Sequence, residues 1–135
     1  DPTAKPAPKK TPTTSTVRFQ VNVPADVPAG WLDVRAVTKW GVSNPRAFVV
    51  GEFPEVAEKE PNSDVPEAQK VDIGTTVVGQ IANPTDVDYT VFAGKAGQKV
   101  VISVQASSID GKTRPMIEVY DAAGRKLAQN RNYRD

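Results

Sequence analysis

Twelve prolines and nine glycines are spread along the 135 residues, and this punctuation limits the possible folds more than any other feature. Proline fixes φ and lacks a backbone N–H, and glycine weakens helix and strand interiors alike. Frequent interruption by both favours short segments joined by turns, which is how all-β chains read. The expected fold class is therefore all-β.

Apolar alternation points the same way. Val17, Phe19, Val21 and Val23 alternate with Arg18, Gln20 and Asn22, the period-two pattern of a strand buried on one face. Trp31 to Thr38 reads as a second strand and Ala47 to Val50 as a third. After a connection from Gly51 to Ala57, strands are expected at Thr75–Ile81, Val87–Ala93, Gln98–Ala106, Pro115–Tyr120 and Arg125–Ala128. Asp64 to Lys70 has room for a single helical turn. Gly94-Lys95-Ala96-Gly97 and Asp121-Ala122-Ala123-Gly124 supply turns.

Neither group of strands completes a sandwich, which takes about seven. The expectation is two small antiparallel β-sandwich units, truncated at both ends, with the remaining strands in residues outside this sequence or in another chain. The divisions are a flexible Pro/Lys/Thr-rich segment over 1–16, a first β unit over 17–53 and a second over 54–135. Lys5, Lys9 and Lys10 in the first segment read either as part of a solvated linker or as a basic arm.

Lys plus Arg (17) and Asp plus Glu (16) nearly cancel, so no basic balance draws the chain to nucleic acid. Cysteine and histidine are both absent. That removes disulfides, the usual zinc ligands, and the Cys/His and Ser/His/Asp nucleophile systems. A non-enzymatic role is expected. No apolar run approaches the roughly 20 residues of a membrane span. The chain opens on Asp1 rather than Met, which leaves room for a removed export signal.

One stretch carries most of the chemistry. Glu58, Glu60, Asn62 and Asp64 stand at alternate positions, and in an extended chain alternate side chains share one side. Asp86 and Asp88 repeat the device beside a later strand. Carboxylate and amide oxygens are what calcium takes, six to eight of them at about 2.3–2.6 Å. Solvated loop carboxylates are the competing reading. Trp40, in a turn, either stacks on a ligand or caps the end of its own sandwich.

From about Glu58 the chain resembles the bacterial pre-peptidase C-terminal (PPC) domain. The residues that carry this are Glu58-Lys59-Glu60-Pro61-Asn62, Val78-Gly79-Gln80-Ile81, Asp86-Val87-Asp88-Tyr89, Ala96-Gly97-Gln98 and Tyr120-Asp121-Ala122-Ala123-Gly124. Upstream, Val23-Pro24, Val27-Pro28-Ala29-Gly30, Gly41-Val42-Ser43-Asn44-Pro45 and Phe48-Val49-Val50 resemble the end of an Ig-like domain, as in large secreted planctomycete-type proteins. The resemblance implies a jelly-roll sandwich, secretion or a cell-surface or periplasmic location, and a non-catalytic accessory role. It also implies calcium ligands at Glu58, Glu60, Asn62 and Asp64 in the linker and Asp88 in the loop, while Asp86, a candidate by its spacing, is displaced by one from the family's position. Where collagen-binding members place a serine and a further aspartate, this chain has Gln80 and Thr85, which implies at most one ion.

The function expected is a structural module of a secreted bacterial protein, calcium-stabilised. The alternatives are a module that binds extracellular protein or polysaccharide through aromatics such as Trp40 or Tyr133, and a processing segment of a secreted protease. Expected partners are the rest of its own polypeptide or neighbouring subunits.

Overall fold

The computed structural model describes residues 17–131. The segment over 1–16 and Tyr133 lie outside the described residues. Strands β1 (Gly30–Val34), β2 (Val37–Thr38), β3 (Gly41–Val42), β4 (Arg46–Val50) and β5 (Glu55–Ala57) come first. A 3-10 turn over Val65–Glu67 precedes β6 (Gln69–Lys70), β7 (Thr76–Val78) and β8 (Thr90–Val91). A second 3-10 turn at Ser107–Ile109 leads to β9 (Ile117–Tyr120) and β10 (Lys126–Asn130). The fold is all-β, and no helix among the described residues is long and apolar enough to cross a membrane.

β1 and β4 pair antiparallel from Gly30 opposite Val50 to Val34 opposite Arg46. The chain between them rises into the β2–β3 hairpin, with Val37 opposite Val42. Thr38 shapes its tip: Oγ1 accepts the Trp40 N–H at 3.2 Å and donates to the Gly41 carbonyl at 3.1 Å. Trp40 is 84% exposed, with the Lys39 ammonium 4.4 Å from its ring centre. It stands clear of the sheets rather than capping one.

β9 and β10 form the third antiparallel pair, around the turn expected at Asp121–Gly124. Asp121 Oδ1 accepts the N–H groups of Ala123 and Arg125, and Gly124 takes the positive φ (77°) that the turn requires.

Two findings depart from the expected pattern. The pairs β5–β7 and β6–β8 are parallel, not antiparallel. Each pair is separated by a long stretch of chain, and a long crossover is what a parallel pairing needs. Second, Val17–Val23 and Gln98–Ala106 form no strand. Alternation selects a face, but a strand exists only where a neighbour completes its hydrogen bonds, and among the described residues neither segment has one. Val17, Phe19, Val21 and Val23 are exposed, as are Val100, Ile102 and Val104. Ala106, at 6%, is the one buried apolar residue among those described. Val100, Ile102, Ile117, Val119 and Ala128 line an open hollow of about 190 Å³.

The turn after Ala106 ties the later part of the chain to β4. The Ala106 carbonyl accepts the N–H groups of Ile109 (3.1 Å) and Gly111 (2.7 Å). Asp110 between them is left-handed (φ 63°), and its carboxylate accepts the Ala47 N–H and lies 3.6 Å from the Arg46 guanidinium.

Candidate metal centre

The acidic stretch begins where β5 ends. Glu58 N–H donates to the Val78 carbonyl at 2.9 Å, which extends the β5–β7 ladder by one residue. Gln69 then straps the chain down: its Oε1 accepts the Lys59 N–H and its Nε2 donates to the Ala57 carbonyl. A cis peptide bond joins Glu60 to Pro61. Beyond it the Asn62 carbonyl accepts the Tyr89 N–H at 2.8 Å. That bond brings Asp88, the residue before Tyr89, to the acidic stretch.

Glu58, Glu60 and Asp88 converge, each with a carboxylate oxygen within 4.8 Å of the others. Ligands on opposite sides of one calcium ion are separated by about twice the 2.3–2.6 Å coordination distance, so this span suits a shared ion. Asn62 underlies the group and is only 2% exposed. Its backbone N–H donates to Glu60 Oε2 and its Nδ2 donates to Glu58 Oε1, both at 3.0 Å. Its Oδ1 is buried without a hydrogen-bond partner. Buried amide oxygens are normally satisfied, and the three converging carboxylates are hard oxygen donors of the kind calcium takes. The oxygen-only donor set therefore fits calcium.

Glu58 is the most constrained of the three. Its Oε2 accepts the Gln80 N–H at 2.7 Å. That bond, helped by hydrogen bonds with Asn62 and Asp88 and opposed by desolvation, holds its pKa below the ordinary 4.5. Asp88 goes the other way, pushed up to about 6. Desolvation of its carboxyl comes first, although the residue as a whole stays exposed; the hydrogen bond with Glu58 and the negative charges of Glu58, Asp86 and Glu60 add to it. The crowded negative charge thus makes Asp88 the group of the cluster that gains a proton first as pH falls.

Asp64 and Asp86 are placed differently. Asp64 turns aside to cap the first 3-10 turn, its Oδ1 accepting the Val65 N–H at 2.7 Å with Pro66 next in the turn. Asp86 closes the Asn83–Asp86 turn, its Oδ2 accepting the Ala82 N–H at 2.6 Å. It acts on Asp88 through its charge. Residue-by-residue reading missed Gly79 and Gln69. Gly79 lies against the Glu58 carboxylate, and the signal was the Val78-Gly79-Gln80-Ile81 motif, read as a strand and a family motif but not as part of the site. Nothing in the sequence marks the Gln69 strap.

No family model and no solved structure matches the chain. Over 74 residues, 53% of its length, it is 35% identical to the "probable subtilase-type serine protease" of Deinococcus radiodurans. The chain spans 10% of that protein's length.

Proposed function

We propose that the chain is a non-catalytic accessory module of a secreted or cell-surface bacterial protein, related to PPC domains and stabilised by calcium. The observation that carries this reading is the convergence of the Glu58, Glu60 and Asp88 carboxylates, with Glu58 bonded to the buried Asn62 side chain, whose Oδ1 has no partner. The likeness to part of a subtilase-type protease is compatible with a segment of a secreted protein. Glu58, Glu60 and Asp88 would hold the ion. Calcium there would neutralise the carboxylates and lock the acidic stretch against the loop before β8.

Thermal melting with calcium and with chelator tests it. A site filled at 100 times its Kd adds about 2.7 kcal/mol of stability. An unchanged melting temperature at millimolar calcium sinks the reading. A second reading, a module for extracellular protein or polysaccharide, is favoured by the exposed Trp40 at the ordered hairpin tip. Pull-down on collagen, peptidoglycan and glycans separates the two, and Trp40→Ala should abolish any capture observed.

A further inference from the structure

Gly79 follows the last residue of β7 and lies against Glu58. A Cβ added there would sit 2.5 Å from Glu58 Oε2, 2.8 Å from its Cδ and 3.2 Å from its Cβ. Gly79 is not among the glycines with positive φ, so its backbone conformation is open to any residue. Space, not conformation, is what the absent side chain provides.

We propose that Gly79 is the positioning residue of the acidic cluster, its missing side chain forming the notch in which the Glu58 carboxylate is seated. Seated there, Glu58 receives Gln80 N–H on Oε2 and Asn62 Nδ2 on Oε1, and stays within reach of Glu60 and Asp88. The inference rests on the calcium reading for its consequence but not for its geometry. A methyl group at position 79 meets chiefly the carboxylate end of a flexible side chain, which can swing away, while the Glu58 Cβ at 3.2 Å has to give by a few tenths of an ångström. Gly79→Ala therefore displaces the Glu58 carboxylate while every polar group in the cluster remains. Groups that orient metal ligands typically matter by about 10- to 100-fold in affinity when altered.

The test is calorimetric calcium titration of the wild type, Gly79→Ala, Glu58→Gln and the double variant, with the Gln80 amide resonance followed in metal-free protein. Gly79→Ala should weaken calcium binding by about 10- to 100-fold. The double variant should bind no more weakly than Glu58→Gln alone, because both act through one carboxylate. Wild-type affinity in Gly79→Ala, or losses that multiply in the double variant, overturns the proposal. If the wild type takes up no calcium, the calcium reading fails by itself, and the metal-free spectra still decide the geometry. There the Gln80 amide should shift in Gly79→Ala toward its position in Glu58→Ala; an unmoved resonance overturns the proposal. Should Gly79→Ala fail to fold, Glu58→Ala added to it should restore folding, and failure to do so rejects the notch.

Discussion

The carboxylate of Asp110 accepts the backbone N–H of Ala47 at 3.2 Å across 63 residues of chain. Ala47 pairs with Asp33 of β1 on the one side, and Asp110 occupies its N–H on the other. An edge N–H answered by a side chain is no longer a template for another strand.

Asp110 should therefore be sensitive in a graded way. Asp110→Asn keeps an acceptor and tolerates left-handed φ, so it should lose under about 1 kcal/mol, the usual worth of an exposed ion pair. Asp110→Ala loses the acceptor and adds the strain of a left-handed alanine, about 1–2 kcal/mol on its own. Urea unfolding of the two variants against wild type measures the difference.

Gly111 offers a contrast with Gly79. A Cβ on Gly111 would meet the Ala106 carbonyl oxygen at 2.6 Å and its carbon at 3.0 Å, and backbone cannot swing aside. Gly111→Ala should cost about 1–3 kcal/mol, as overpacking does, and should free the Asp110 contact. Gly79→Ala instead acts through a side chain: without calcium it should cost about the 1.5–3 kcal/mol of the Asn62–Glu58 bond that the displaced carboxylate gives up. Denaturant midpoints in chelator compare the pair directly.

Asn62 should matter with or without metal. Its Nδ2 bond to the Glu58 carboxylate is partly buried and charge-assisted, and such bonds contribute about 1.5–3 kcal/mol. Asn62→Ala should lose roughly that amount in chelator, and it should also reduce the stabilisation calcium gives. Melting curves in both conditions separate the two effects.

The cluster should make stability depend on pH. Asp88 is held above its ordinary value of 3.8, at about 6, so its contribution is fully present below about pH 4 and is lost as pH rises through about 6. Glu58, held below 4.5, works in the opposite sense: its contribution is present above that value and lost as pH falls. Asp88→Asn isolates the first effect by standing in for the protonated acid. Relative to it, metal-free wild type should lose stability between pH 4 and 6, and a carboxyl-carbon titration should place Asp88 near 6. Calcium competes with that proton, so its affinity should climb over the same interval. A midpoint near 4 for Asp88 would contradict the crowding of charge.

What could be read from residues alone was the local part. The Asp121–Gly124 turn was legible because its proline-free, glycine-ended pattern contains its own hydrogen-bond partners. Alternation placed Glu58 and Glu60 together, and the same device nominated Asp88. It failed for Asp64 because the chain curls at Pro66 and the carboxylate caps that curl. Asp86 stays outside the converging group, its Oδ2 accepting the Ala82 N–H, and acts on Asp88 by its charge. The parallel pairing of β5 with β7, the absence of strands at 17–23 and 98–106 among the described residues, and the seat of Glu58 against Gly79 all depend on what lies opposite, which no local pattern contains.

The parallel pairing of β5 with β7 also fixes how the chain would respond to being pulled. Tension applied through the chain on either side drags the start of β5 one way and the end of β7 the other. Parallel strands drawn in that manner slide along each other, so their hydrogen bonds resist together instead of opening one after another. The acidic stretch hangs inside the loop that such sliding would have to open, with Glu58 bonded to Val78 at its entrance. This short pair and the cluster beside it would therefore come under shear together.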